Sequence, residues 1–157
     1  MTTKMDTARP LAFGFVLAVV AMVGACAASP DHRSTPRANL DAGIQALEAK
    51  EYEKAVQQLE IAIVADPKNP DGFYRLGQSH RALGNYRRAL KYIRLALEIE
   101  PNHLAALKER GVVLLEAGER EEAKVTLQQL GDKCDRACPE YQSLKQQVEA
   151  APTNKDG

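Results

Sequence analysis

The chain has 157 residues, 45% of them hydrophobic but only 5% aromatic, and no Trp. One small domain fits that length, with a core of Ala, Leu, Ile and Val that suits close helix–helix contact. Twenty-one Lys and Arg balance twenty-one Asp and Glu, so no long-range field draws the chain to nucleic acid or to an anionic membrane. The sequence holds no metal-ligand spacing, no phosphate-cradling loop, no paired carboxylate site and no Ser, His and Asp arrangement. The expectation is a binding protein and not an enzyme, without cofactor, metal, nucleic acid or small-molecule substrate.

The N-terminus starts weakly basic, with Lys4 and Arg9 against Asp6. Leu11 to Val23 then read LAFGFVLAVVAMV, thirteen residues without a charge. That run falls short of the ~20 apolar residues a helix needs to span a bilayer, and it has the length of a signal-peptide core. Small residues follow it at once, Gly24, Ala25, Cys26, Ala27 and Ala28. The segment Val23-Gly24-Ala25-Cys26 resembles the lipobox of bacterial lipoproteins, with Val23 where Leu is more usual. The resemblance implies a signal peptide over 1–25 and a mature N-terminus at Cys26 carrying acyl chains such as palmitate. It also implies a bacterial membrane anchor facing the periplasm. Ala27 and Ala28 lack the Asp that some families use for inner-membrane retention, which favours the outer membrane in a Gram-negative source. Two other readings of the same residues stay open. One is ordinary cleavage after Ala27, using the small pair Ala25 and Ala27. The other is an uncleaved anchor reaching Ala28. Residues 26–35, small, polar and Pro-containing, are expected to form a flexible tether.

From Pro36 the sequence repeats with a period of thirty-four residues, giving units 36–69, 70–103 and 104–137 that align without a gap. Gly43, Gly77 and Gly111 form one column, and Ala55, Ala89 and Ala123 another. Tyr52 pairs with Tyr86, Ala62 with Ala96, and Pro67 with Pro101. A fixed period of this size means stacked units of two helices each. In the second unit Asn69 caps a helix that has Pro70 at its first position. Phe73, Leu76, Gly77 and His80 share one face of it, and Gly84-Asn85 breaks it. A second helix turns Ala89, Ile93, Ala96 and Leu97 inward and ends at Pro101. A large side chain in the Gly or Ala column would push the paired helices apart. A last stretch, with Tyr141, Leu144 and Val148 at helical spacing, reads as a capping helix over 138–151, followed by a disordered tail over 152–157.

At these columns the sequence resembles the tetratricopeptide repeat family, most fully in Leu76-Gly77, Leu83-Gly84, Tyr86, Ala89, Ala96 and Pro101. The first unit departs by Ala42 and by Lys50 at the turn. The third departs by Arg110, Arg120, Leu130 and Asp135. The resemblance implies an all-α solenoid of helix-turn-helix repeats, three of them plus the cap. It also implies that a protein or peptide partner binds the concave groove lined by the first helix of each unit. Carried over by position, the groove residues are Leu40, Ile44 and Leu47, then Tyr74, Gln78 and Arg81, then Lys108, Val112 and Leu115. Two of the three sets are mainly apolar, which favours an apolar or helical segment. Simple interhelix packing is the competing role for each. Only Arg81 and Lys108 are placed to grip a C-terminal carboxylate, so that activity is not expected. Charge is uneven along the array, with unit two net positive and its neighbours net negative.

With Cys26 acylated, Cys134 and Cys138 remain as a pair in an oxidising compartment. Four-residue spacing at a helix end, just before Pro139, puts a disulfide within reach if the helix unwinds slightly; metal binding and free thiols are the alternatives. His80 takes a first-helix position where a packed side chain is expected. Two functions compete. One is a membrane-anchored scaffold or assembly factor of the cell envelope. The other is a periplasmic redox or cytochrome-maturation accessory in which Cys134 and Cys138 cycle.

Overall fold

The computed structural model describes residues 35–152. The signal segment, Cys26, the tether up to residue 34 and the tail beyond Pro152 lie outside the described residues. Within them the chain forms seven helices and no strand: α1 (Pro36–Glu48), α2 (Tyr52–Ala65), α3 (Pro70–Ala82), α4 (Tyr86–Ile99), α5 (Leu104–Glu116), α6 (Arg120–Lys133) and α7 (Pro139–Ala150). None of them is long and apolar enough to cross a membrane.

The helix starts follow from capping chemistry. Pro36, Pro70 and Pro139 each open a helix, where the missing N–H costs nothing. The Asn69 side chain accepts from the backbone N–H groups of Asp71 and Gly72, and Thr35 accepts from Ala38. Within each repeat the first helix ends in a left-handed residue, Lys50 at φ 61°, Gly84 at φ 72° and Gly118 at φ 85°. Glycine takes that conformation freely, whereas Lys50 adopts it against its own Cβ.

α1 packs on α2, α3 on α4, and α5 on α6, and each second helix also packs on the first helix of the next repeat. Ala55, Ala89 and Ala123 are wholly buried in these contacts. A Cβ on Gly43 would stand 2.5 Å from Leu59 of α2, and one on Gly77 would stand 2.6 Å from Ile93 of α4. Both glycines are therefore the closest approach between two helices of one repeat.

The third repeat closes differently. A Cβ on Gly111 would meet Leu144 of α7 at 2.5 Å, not a residue of α6. α7 packs against both α5 and α6, burying Leu144 and Val148 among Leu107, Val112, Leu114 and Leu130. Arg110 explains part of the change. It occupies the column of the fully buried Leu76, and its guanidinium needs acceptors. It reaches Thr126 Oγ1 at 3.3 Å and Gln129 Oε1. α6 accordingly turns Thr126 into the core and leaves Leu127, the residue in register with Leu59 and Ile93, only half-buried. Arg120 of α6 fastens the far end of α7, donating to the carbonyls of Val148 at 2.8 Å and Ala151 at 2.7 Å. A guanidinium there satisfies carbonyls that the helix end leaves without intrahelical donors.

Candidate partner groove

The first helices α1, α3 and α5 carry the nine residues that the family resemblance assigns to a groove. In α1, Leu40, Ile44 and Leu47 are half-buried. Leu40 and Ile44 line an open cleft of about 600 Å³ between α1, the α2–α3 connection and the first turn of α3. Leu47 instead packs on the core formed by Ala46, Leu59 and Leu76. In α5, Lys108 and Leu115 are half-buried, while Val112 is buried in the cluster beneath α7.

The middle set is held in a polar network. Tyr74 is buried, its ring tilted against His103 at 5.0 Å and covered on one face by the Arg75 guanidinium at 5.1 Å. Gln78 Nε2 donates to Tyr74 Oη at 2.8 Å, and Arg75 donates to Gln78 Oε1 at 3.1 Å. Arg81 donates to Glu109 at 2.5 Å and to Glu116 at 2.8 Å, both on α5. Glu109 is 3% exposed and depends on this partner, since a buried carboxylate without one would be costly. Burial works against the charge on Arg81, but Glu109 and Glu116 outweigh it and raise its pKa. Burial, with Glu109 nearby, also raises the Tyr74 pKa, keeping the phenol neutral and able to hydrogen-bond.

Arg81 is therefore committed within the fold, tying α3 to α5, and is not a loose cation in the groove. Tyr74 and Val112 present little surface to a ligand, whereas Leu40, Ile44 and Lys108 remain partly accessible. Sequence reading missed Glu109, which lies 28 residues from Arg81. The available signal was an acidic residue on the first helix of the next repeat, in the column of Asp41 and Arg75. It also passed over Asp66 and Asp71, which share the cleft of Leu40 and Ile44.

Two further expectations have a definite place. His80 is buried and stacked on Tyr92, with ring centroids 5.3 Å apart, and neither ring nitrogen has a hydrogen-bond partner. Burial and then Arg88 lower its pKa, so it is held neutral. Cys134 and Cys138 stand at the α6–α7 junction with their Cα atoms 5.7 Å apart, inside the span of a disulfide. Cys138 is also the N-cap of α7, its sulfur accepting from the Tyr141 N–H at 3.4 Å. Between the two cysteines, Asp135 and Arg136 both take left-handed backbone conformations. No group of three or more His, Cys, Asp or Glu side chains among the described residues is arranged to hold a metal ion.

The family model described as Tetratricopeptide repeat matches residues 46–110 and again 80–148. The chain belongs to the tetratricopeptide repeat family. As a member of this family it is similar to Superkiller protein 3 of Saccharomyces cerevisiae, 26% identical over 98 residues, which is 62% of this chain. That alignment spans only 7% of the yeast protein. Among solved structures, the TPR2B domain of yeast Sti1 in a pHsp70 complex superposes with a TM-score of 0.70 at 17% identity, over 74% of this chain and 95% of that one. The type III secretion chaperone SycD of Yersinia enterocolitica, bound to a peptide of the translocator YopD, gives 0.65 at 20% identity, over 73% and 87%. At these identities the likeness shows the fold alone.

Proposed function

We propose that this protein is a membrane-anchored scaffold or assembly factor of the bacterial cell envelope, binding a segment of another protein along α1, α3 and α5. The observation that carries the binding half is the cleft on α1, whose apolar wall is Leu40 and Ile44, two positions that the repeat register assigns to the groove. Two solved structures of like fold that are complexes, Sti1 TPR2B with pHsp70 and SycD with a peptide of YopD, support that use of the fold. The anchored half rests on Val23-Gly24-Ala25-Cys26 directly after an apolar run too short to span a bilayer. In this reading acylated Cys26 holds the chain to the membrane and residues 27–35 let the repeats stand clear of the headgroups. Cys134 and Cys138 form a structural disulfide. Their place between the last repeat and α7, half-buried against the cluster of Leu130 and Leu144, supports fastening over redox cycling.

Crosslinking in envelope membranes, followed by pull-down through the anchored chain, tests the binding half. Ile44→Asp should abolish capture of the main partner while the domain stays folded by circular dichroism; undiminished capture would place binding elsewhere. Intact mass tests the anchor. The mature protein should begin at Cys26 with acyl chains attached, and Cys26→Ala should leave it uncleaved or released from membranes. A mature chain starting at Ala28 without acyl mass contradicts the anchor.

A further inference from the structure

The cleft on α1 carries a charge sign as well as an apolar wall. Three carboxylates line it, Asp41 from α1, Asp66 from the end of α2 and Asp71 from the first turn of α3, against one guanidinium, Arg37. Its floor is Leu40 and Ile44, and its volume of about 600 Å³ suits a few side chains and not a folded domain. Asp66 accepts the Lys68 backbone N–H at 3.3 Å, and Asp71 faces His103 Nε2 at 3.2 Å. Each carboxylate has one such partner and keeps acceptor capacity for a further donor.

Outside the cleft the groove positions offer one accessible cation, Lys108 of α5. Arg81, the cation at the centre, is paired with Glu109 and Glu116, and Arg75 is laid over Tyr74 and bonded to Gln78. Both are thereby neutralised or occupied within the fold. We infer that the groove selects a basic segment: an amphipathic helix or extended stretch that seats an apolar side chain on Leu40 and Ile44 and presents Lys or Arg to Asp41, Asp66 and Asp71. This rests on the groove reading proposed above and adds the charge of the occupant. An acidic segment would bring its carboxylates against three others with no free guanidinium at the centre to receive them. Like-charge juxtaposition is an effective means of rejecting a wrong partner.

The full chain in detergent is titrated with three fluorescent helical peptides. They share one Leu- and Ala-rich face and carry Lys, Gln or Glu at the flanking positions. The Lys peptide should bind tightest and the Glu peptide weakest, about ten-fold or more apart at low salt, with the gap narrowing as salt rises. Asp41→Asn with Asp66→Asn should remove most of that gap and leave affinity for the Gln peptide unchanged. The Asn at 66 still offers an oxygen to the Lys68 N–H, so the turn is retained. Glu53→Gln, an exposed carboxylate on α2 outside the cleft, should leave the order of the peptides unchanged. Equal or tighter binding of the Glu peptide overturns the inference. So does a preference for Lys that survives the double substitution, or no binding of the Lys peptide by a chain that still captures its envelope partner through Ile44. Loss of that capture's dependence on Ile44, with the Lys preference intact, removes the scaffold reading and leaves the charge selectivity standing.

Discussion

The second and third repeats share a register but close in different ways. In the second, Gly77 lies against Ile93 of its own second helix, as Gly43 lies against Leu59 in the first. In the third, Gly111 lies against Leu144 of α7, and Thr126 takes the inward place that the register gives to Leu127. The close approach at Gly77 is made within the second repeat's own thirty-four residues. The third depends on a helix from outside the period, held at one end by Arg120 and joined at the other through Cys134 and Cys138. A repeat column thus specifies that a close approach occurs, while the partner in that approach is set by what lies next in the chain. Terminal repeats need such completion because no following unit covers them.

The contrast can be broken most sharply at the glycines. Gly77→Leu should cost about 2–5 kcal/mol, because the clash includes the Ala89 carbonyl at 3.3 Å as well as Ile93. Thermal melting by circular dichroism reads it, and a variant that melts with the parent would refute the assigned register. Gly111→Leu should cost less, about 1–3 kcal/mol, because the three atoms nearest a Cβ there all belong to the Leu144 side chain and none to backbone. Its penalty should shrink by at least about 0.5 kcal/mol in a Leu144→Ala background. Additive penalties would mean that α7 is not the element Gly111 accommodates.

Replacing both Cys134 and Cys138 by Ser should lower stability by about 2 kcal/mol or less, since the loop they close is short. Partner binding should persist. A redox accessory would behave in the opposite way, with stability unchanged and activity lost. A count of free thiols on the unreduced protein precedes that comparison, and two reactive thiols would exclude the disulfide.

The smaller effects lie in the first and second repeats. Lys50→Gly should stabilise the first by about 1 kcal/mol, bringing its turn into line with Gly84 and Gly118. His80 gives the second repeat an acid sensitivity. Its folded pKa is depressed by burial and by Arg88, with Glu60 opposing. The unfolded chain therefore takes up a proton that the folded one refuses, and stability should fall as pH drops through about 6.5. The loss levels off below the folded pKa. His80→Phe should keep the contact with Tyr92 and flatten the melting temperature over that range; an unchanged slope would assign it to other groups.

Much of this is legible in the sequence, because it rests on local chemistry. Asn69-Pro70, Gly84 and the Ala column act within a few residues or one period, and they produce the helix starts, the turn and the tight packing read from them. Thirty-four-residue periodicity likewise gave the helix pairs their order. What was not legible depends on pairings across repeats. Arg81 reads as an available cation until Glu109 is seen buried against it. Tyr74 and Val112 read as groove positions until the network on α3 and the approach of α7 cover them. The acidic sign of the cleft emerges only when Asp41, Asp66 and Asp71 from three helical segments are brought to one place.

A photoreactive residue placed singly at Ile44, inside the cleft, and at Val64, 82% exposed on α2 outside it, tests the central claim most directly. Irradiation of the anchored protein in envelope membranes should give a discrete partner adduct from position 44, weakened by Asp41→Asn with Asp66→Asn, and little or none from position 64. A discrete adduct from position 64 with none from position 44 would contradict the groove as the working surface of this protein.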